Sequence, residues 1–376
     1  MRNVRFPMLT QAEIVPYLLN RGFINGEQVV DGDLEVLDAS RRNCNFRVLS
    51  HLGPSYLVKQ GVGPGGFATV AHEAAVYRYF RAKRVDQVLS TSLPAYHIYD
   101  KKLGLLILEL ISNAESMSEY HARSHRFPVS AAAQLGTVLA TLHSIDYRRD
   151  EGDQLQKEPG APPWILSMHR PSLSALRELS GGNLEMIRIL QSSMGLCESL
   201  DELRSGWRIN AFIHQDIKAE NILVFPDARR RGKPGVKIVD WECASYGDAC
   251  WDVGSLFSDY LCFWLFSIPD SGTDSPQASM ESARYPIEKI QPAMLTFWEA
   301  YVRTMQLGMA VSQRWLIRAV QYAAARMLQT AFENLQHATR MTGPVLRLLQ
   351  VSANMLEQPR EASIHVLGIR LPHPAK

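Results

Sequence analysis

The most informative part of the chain is a pair of apolar segments, FIHQDIKAENILV at 212–224 and VKIVDWE at 236–242. Each contains residues typical of a short strand, which predicts a hairpin with strands at 221–225 and 236–240. The polar residues that accompany these strands are His214, Asp216, Asn221 and Asp240. The first three have the spacing H-x-D-x-x-x-x-N, and the hairpin would place the last three around one point.

Two carboxylates and an amide oxygen in one place suit the transfer of a phosphoryl group to a hydroxyl. That reaction needs a carboxylate beside the attacking hydroxyl, and oxygen ligands for the Mg²⁺ that bridges the phosphates. We therefore expect Asp216, Asn221 and Asp240 to belong to one site.

Two further segments occur in the matching order along the chain. LGTVLATLHSI at 135–145 precedes the hairpin, and ASYGDACWDVGSL at 244–256 follows it. Together these motifs resemble the aminoglycoside-phosphotransferase-like family, which includes choline-kinase-type enzymes and belongs to the protein-kinase-like superfamily. The resemblance covers about 33–256 and implies an α+β fold of two lobes, a small antiparallel sheet followed by a large, mainly helical part.

The pattern of predicted elements agrees with this outline. Strand-like segments and one helix at 72–83 alternate up to about residue 111, and amphipathic helices dominate afterwards. The predicted domains are a helical extension at 1–30, a nucleotide-binding lobe at 31–111 and a catalytic lobe at 112–376.

The resemblance assigns roles to residues of the predicted hairpin. Asp216 accepts or orients the proton of the acceptor hydroxyl, and Asn221 and Asp240 hold magnesium. Lys218 neutralises the transferred phosphate, although a solvated surface lysine is the alternative, and His214 supports the loop. Asp252 is expected to support the same loop rather than to react.

The resemblance also identifies nucleotide contacts in the first lobe. Lys59, at the end of YLVK, contacts the phosphates and Glu73 pairs with it, while backbone groups near Glu109 and Ile111 contact adenine. Ser40 and Asn43, between the first two strands, are expected phosphate contacts. The glycines at 61–66 match G-x-G-x-x-G but follow Lys59, so we interpret them as a connector between strand and helix.

We therefore predict a kinase that transfers the γ-phosphate of ATP or GTP, with Mg²⁺, to a hydroxyl of a small molecule. A protein or peptide Ser/Thr kinase is one alternative, favoured by Lys218 and the polar segment 146–163. A nucleotide-binding interaction module without catalysis is another. Asp240-Trp241-Glu242 stands where protein kinases have Asp-Phe-Gly, and no Ala-Pro-Glu follows, which favours the small-molecule kinase.

Composition adds little about the acceptor. From Trp241 onwards the chain has 12 acidic and 11 basic residues. This part of the chain therefore has no excess of acidic residues that would indicate a polycationic antibiotic as the acceptor. Aromatic residues after 253 favour core packing over a cation–π pocket for a choline-like acceptor. The basic run at 229–233 is expected to be a solvated turn.

The charge, the cysteine content and the lengths of the apolar segments bear on possible partners and on the location of the protein. The 376 residues carry a net charge of +2, which gives no electrostatic sign of nucleic-acid binding. Five scattered cysteines without a CxxC pair indicate reduced thiols in a cytoplasmic protein. The most apolar stretch, 253–267, is shorter than a membrane span and contains Asp259. We expect neither a membrane nor a nucleic-acid partner.

Overall fold

The computed structural model describes residues 8–40, 43–83, 85–145, 160–230, 232–270 and 280–370. Some segments considered above fall outside the described residues. They are residues 1–7 of the predicted extension, residues 41–42 between the expected phosphate contacts Ser40 and Asn43, most of 146–163, and Arg231 of the basic run.

The described residues form two compact units. The first contains the residues up to Glu115 together with Asn221–Ala244, and the second contains the other described residues from Ser116 onwards. The hairpin that carries Asn221 and Asp240 thus belongs to the first unit, although it lies far along the chain. The predicted domain boundaries near 30 and 111 stay predictions.

A five-stranded antiparallel sheet is the main feature of the first unit, with strand order β1-β2-β3-β5-β4. Its strands are β1 (Leu34–Asp38), β2 (Cys44–Ser50), β3 (Tyr56–Gln60), β4 (Tyr96–Asp100) and β5 (Leu105–Glu109). The first four residues of β5 are apolar and fully buried because it has a neighbour on each side. The small antiparallel sheet predicted for the first part of the chain is therefore confirmed.

The first unit has four α-helices among its described residues. They are α1 (Gln11–Asn20), α2 (Gly26–Val30), α3 (Gly63–Lys83) and α4 (Gln87–Thr91). Of these, α1 and α3 pack against this sheet. A capping box between Thr10 and Glu13 starts α1, and Ile14 and Leu18 bury their side chains in the sheet's apolar cluster. Two further strands of this unit, β8 (Ile222–Pro226) and β9 (Pro234–Ile238), form the predicted hairpin.

The second unit is mainly helical. Its helices are α5 (Met117–Ser124), α6 (Val129–His143), α7 (Leu173–Glu178), α8 (Gly181–Ser192), α9 (Met194–Ser205), α10 (Ala249–Phe266), α11 (Ile287–Thr304), α12 (Met309–Asn334), α13 (Gly343–Glu357) and α14 (Pro359–His365). Two short strands, β7 (Ala211–Ile213) and β10 (Ser245–Gly247), pair antiparallel. A two-residue strand, β6 (Glu115–Ser116), precedes α5.

Glycines let two pairs of long helices approach closely in the second unit. A Cβ atom on Gly136 of α6 would lie 2.3 Å from the carbonyl oxygen of Phe297 in α11. A Cβ atom on Gly254 of α10 would lie 2.6 Å from the carbonyl oxygen of Ala319 in α12. Side-chain-free positions are needed where backbones pack at such distances.

The α+β class predicted from the sequence is confirmed. Most aromatic residues of the later helices pack in the core, as expected. Tyr260, Trp264, Phe297 and Trp298 are buried, whereas Phe266 is exposed. Among the described residues, no helix combines the length and the apolarity needed to span a membrane.

Candidate active site

The two predicted metal ligands lie at the same end of the β8–β9 hairpin. Ile222 pairs with Ile238, and the backbone N–H of Val239 donates to the carbonyl oxygen of Asn221 at 2.9 Å. This bond places Asn221 next to the residue that precedes Asp240. Asp240 has φ 66°, a left-handed conformation that non-glycine residues rarely adopt and that aims its side chain away from the strand direction.

A short 3-10 turn, Trp241–Cys243, fixes the chain after Asp240. The Trp241 side chain is fully buried and meets the Phe80 ring edge-on at 5.0 Å between centroids. Its indole N–H donates to the carbonyl oxygen of Ile238 at 3.0 Å. The buried side chain of Trp241 therefore fixes the position of the backbone next to Asp240.

Lys59 connects three elements of the first unit through its ammonium group. Nζ lies 2.7 Å from Oε2 of Glu73 on α3 and 2.6 Å from Oδ1 of Asp240. Oε2 of Glu242 lies 3.9 Å from the same nitrogen. The structure thus brings together Lys59, Glu73 and Asp240, which were predicted as nucleotide and metal contacts, and adds Glu242.

Burial and charge act in opposite directions on this cluster. Burial lowers the pKa of Lys59, but the carboxylates of Glu73 and Asp240 raise it by more, so the ammonium stays charged. Burial raises the pKa of Glu73 by more than the charge of Lys59 lowers it. Three carboxyl groups, those of Glu73, Asp240 and Glu242, thus lie within 3.9 Å of one lysine ammonium group.

The donors here fit magnesium chemically. Mg²⁺ prefers hard oxygen ligands and is usually held by one or two protein groups together with water and substrate phosphates. Asp240 offers a carboxylate, and the amide oxygen of Asn221 is of the same hard type. No group of three or more His, Cys, Asp and Glu side chains within the described part of the chain could hold a metal alone.

The other predicted nucleotide contacts lie elsewhere in the first unit. The Ser40 hydroxyl accepts the Asn45 N–H at 3.1 Å and so closes the turn between β1 and β2. Asn43 is buried nearby. At the end of β5, the Glu109 N–H donates to the carbonyl oxygen of Ala95 at 2.9 Å, and half-buried Ile111 follows two residues later. The structure does not bring these four residues into contact with Lys59.

The glycine segment differs from the predicted connector. Helix α3 begins at Gly63, nine residues before the predicted start, so the glycines from 63 to 66 form its first turn. Gly63 has φ 64°, which glycine adopts without strain. A Cβ atom on Gly66 would lie 2.7 Å from Oδ1 of Asn43, and so α3 starts against the β1–β2 turn.

The predicted catalytic aspartate belongs to the second unit. Oδ2 of Asp216 accepts a hydrogen bond from Lys218 Nζ at 2.7 Å, and Oδ1 accepts one from Arg326 of α12 at 2.8 Å. Burial raises the pKa of Asp216, but the charges of Arg326 and Lys218 lower it by more. The carboxylate is therefore kept ionised, as an acceptor of a hydroxyl proton requires.

Asp252 holds the loop that carries Asp216. Its two carboxylate oxygens accept the consecutive backbone N–H groups of His214 and Gln215, at 2.7 and 2.9 Å. Oδ2 of Asp252 also lies 3.2 Å from Nε2 of His143. All of this lies in the core, with Asp252 and His214 fully buried. Asp252 thus fixes the backbone of the loop at His214 and Gln215, and the supporting roles of Asp252 and His214 stay predictions.

Sequence reasoning missed two charged residues near Asp216. Arg326 lies in the apolar stretch AVQYAAARMLQTAF, and Asp259 lies in α10 and accepts the backbone N–H of Ala219. An isolated charge in an apolar helix needs a buried partner, which was the available signal. The distance of 110 residues between Arg326 and Asp216 gave no indication of which partner it has.

The chain belongs to the phosphotransferase enzyme family, whose family model matches residues 33–273. This match covers most of the chain and confirms the resemblance drawn from the sequence motifs. It includes the Lys59 cluster and the loop with Asp216 but ends before α11. A comparison with curated proteins finds no match.

A comparison with solved structures matches several phosphotransferases, at low identity and with TM-scores below 0.5. A choline kinase, LicA, from Streptococcus pneumoniae is 15% identical, with TM-score 0.45, covering 88% of this chain and 97% of that one. A fructosamine-3-kinase described as putative, from Thermobifida fusca, is 15% identical, with TM-score 0.47, covering 86% and 93%. The macrolide 2'-phosphotransferase MphH from Brachybacterium faecium is 14% identical, with TM-score 0.47, covering 92% and 99%.

Proposed function

We propose that the protein transfers the γ-phosphate of ATP or GTP to a hydroxyl group of a small molecule. The observation that carries this proposal is the meeting of Lys59, Glu73 and Asp240 at 2.6–2.7 Å, although Asp240 lies 181 residues after Lys59. Lys59 is held between the carboxylate of Glu73 on α3 and that of Asp240 after β9. A lysine fixed in this way is well placed to bind the phosphates of a nucleotide.

The proposed reaction divides the work between named groups. The acceptor oxygen forms a bond to the γ-phosphorus, and the bond from that phosphorus to the β–γ bridging oxygen breaks and releases the nucleoside diphosphate. Asp216 receives the hydroxyl proton. Lys59 and Lys218 neutralise charge on the phosphates, so positioning and electrostatics supply most of the rate.

Magnesium would be held by Asp240 and Asn221 and would neutralise phosphate charge. Backbone groups at Glu109 and Ile111 are proposed to contact adenine, and Ser40 and Asn43 the phosphates. The small-molecule acceptor is favoured over a peptide because no Ala-Pro-Glu motif follows Asp240. A cytoplasmic location, with no nucleic-acid or membrane partner, completes the proposal.

The test is nucleotide consumption by the purified protein with Mg²⁺. The acceptor panel contains choline, aminoglycosides, macrolides, fructosamines, other amino alcohols, sugars and Ser/Thr peptides. We expect turnover with one small-molecule class. Asp216→Asn should reduce turnover by about 10²–10⁴-fold with unchanged nucleotide affinity, because it removes the proton acceptor. Asp240→Ala should remove productive binding of the magnesium nucleotide.

Asp31→Asn is the matched control, because this carboxylate is exposed in the first unit and should leave turnover unchanged. Full activity of Asp216→Asn would contradict the assigned proton acceptor. Phosphate on peptides alone would identify a peptide kinase instead. Nucleotide binding without turnover on any acceptor would identify an interaction module.

A further inference from the structure

The two oxygens of the Asp216 carboxylate have partners of different kinds. Oδ1 faces Arg326, whose side chain is 7% exposed, and Oδ2 faces Lys218, whose side chain is 36% exposed. Lys218 lies two residues further along the same loop, whereas Arg326 comes from the long helix α12. The Arg326 side chain is thus buried, whereas the Lys218 side chain is partly exposed to solvent.

We propose that Arg326 is a positioning residue that holds Oδ1 of Asp216 throughout the reaction, so that the acceptor hydroxyl is received at Oδ2. This inference rests on the phosphotransfer function proposed above. It assigns a role to a residue outside the segment that matches the family, 33–273.

The chemistry of the two cations supports this division. A guanidinium group stays charged at any working pH and binds carboxylates with a rigid, planar set of donors. Moving it away would leave a buried charge without its partner, which is strongly unfavourable. A half-exposed lysine ammonium can exchange between the carboxylate, water and phosphate at little cost. Only the Oδ2 side can therefore open to a hydroxyl.

Charged groups from several described elements bear on the ionisation of Asp216. On its own loop they are Lys218 and His214, and from other elements they are Arg326 on α12 and Asp259 on α10. Asp259 is a second carboxylate, and its negative charge makes ionisation of Asp216 less favourable. Arg326 opposes the charge of both carboxylates. Without it, burial and Asp259 act on Asp216 against the weaker opposition of Lys218 and His214.

The experiment compares wild type with Arg326→Met and Arg326→Lys over a range of pH. The readouts are kcat/KM and kcat for the best acceptor, or for slow transfer to water, together with nucleotide affinity. We expect Arg326→Met to lower kcat about 10- to 100-fold and to move the acid limb of kcat/KM upward by about one pH unit or more. Nucleotide affinity should stay unchanged.

Arg326→Lys should keep the wild-type acid limb and lose part of kcat, since the charge remains but the planar contact does not.

Arg318→Met is the matched control, because Arg318 lies two turns earlier on α12 and pairs with buried Asp248 at 2.6 Å. It should lower thermal stability without moving the acid limb. An unmoved acid limb in Arg326→Met would overturn the inference while the phosphotransfer function stands. If Arg326→Met does not fold, Arg326→Lys decides, and wild-type kcat at every pH would then overturn the inference. Wild-type protein that transfers phosphate to no acceptor and not to water would remove the proposed function, and this inference with it.

Discussion

Lys59 carries one positive charge among the carboxylates of Glu73, Asp240 and Glu242. The contact with Glu73 is almost completely buried, whereas Asp240 is one-third exposed. Glu73 therefore sets the position of the ammonium group, and Asp240 is the partner that can also serve a metal. This difference makes Glu73 the better position at which to test the cluster.

We predict that Glu73→Gln weakens nucleotide binding by about tenfold while thermal stability stays equal or increases. The pKa of Glu73 is raised because burial penalises its charge, so a neutral amide of the same size relieves that penalty. Lys59, however, then turns toward Asp240 and is less well placed for phosphate. Nucleotide titration and thermal unfolding measure the two effects.

Glu35→Gln is the control for this prediction, because Glu35 is an exposed residue of β1 in the same unit. It should change neither quantity, as isolated surface charges contribute little. Nucleotide affinity of Glu73→Gln equal to that of wild type would mean that Lys59 needs only Asp240 for its position.

The sequence predicted those residues of the candidate site that lie in short motifs. His214, Asp216 and Asn221 share one loop and were identified by their spacing, whereas Lys59 at the end of YLVK was identified through the resemblance to the family. Arg326 was not predicted, because a contact between α12 and a loop 110 residues earlier depends on tertiary packing. Local patterns record only what neighbouring residues require of each other.

At the scale of elements, the start of α3 shows that a segment with poor helix-forming residues can still be helical. The residues from Gly63 to Gly66 are Gly-Pro-Gly-Gly, which have poor helix propensity, and so the sequence predicted a connector there. Proline is nevertheless tolerated in a first helical turn, where its missing N–H costs nothing. Tertiary contacts with the β1–β2 turn and with Gly61 outweigh the propensity. The two strands of the hairpin, predicted at 221–225 and 236–240, were placed within two residues of their observed bounds.

We predict that Gly254→Ala destabilises the protein by about 1–3 kcal/mol and also lowers kcat. The new methyl group would lie 2.6 Å from the Ala319 carbonyl oxygen and 2.8 Å from Tyr322 Cβ, so α12 must shift away from α10. Arg326 lies on α12 two turns beyond Ala319, and it moves with the helix. Chemical denaturation and steady-state kinetics check the two parts.

Gly195→Ala is the matched control, since Gly195 is also helical but no atom lies within 4 Å of a Cβ there. It should be neutral or slightly stabilising, because alanine favours helix. Equal stability of the two variants would contradict the close packing of α10 on α12.

At the scale of the whole molecule, stability against pH reflects carboxylates that act in opposite directions. Asp216 has a lowered pKa and contributes stability that is lost as the pH falls through that pKa. Burial raises the pKa of Asp259 to about 7 despite the charge of Arg326 and the N–H of Ala219. Asp259 therefore governs the change in stability near neutral pH.

We predict that Asp259→Asn raises the thermal midpoint at pH 8 by several degrees and that this gain shrinks toward pH 5. In the unfolded chain an aspartate titrates near pH 3.9, so between about pH 4 and 7 the folded protein holds a proton that the unfolded chain releases. The free energy of unfolding of wild type consequently falls as the pH rises through this window, and above it the folded protein carries a buried charge. Asparagine removes that charge and can still accept the Ala219 N–H. Thermal unfolding of wild type and Asp259→Asn from pH 5 to 8 measures the difference, and Asp31→Asn, at an exposed site, is the control. A gain in the thermal midpoint that is the same at every pH would contradict the prediction, because Asp259 would then titrate like an ordinary surface carboxylate.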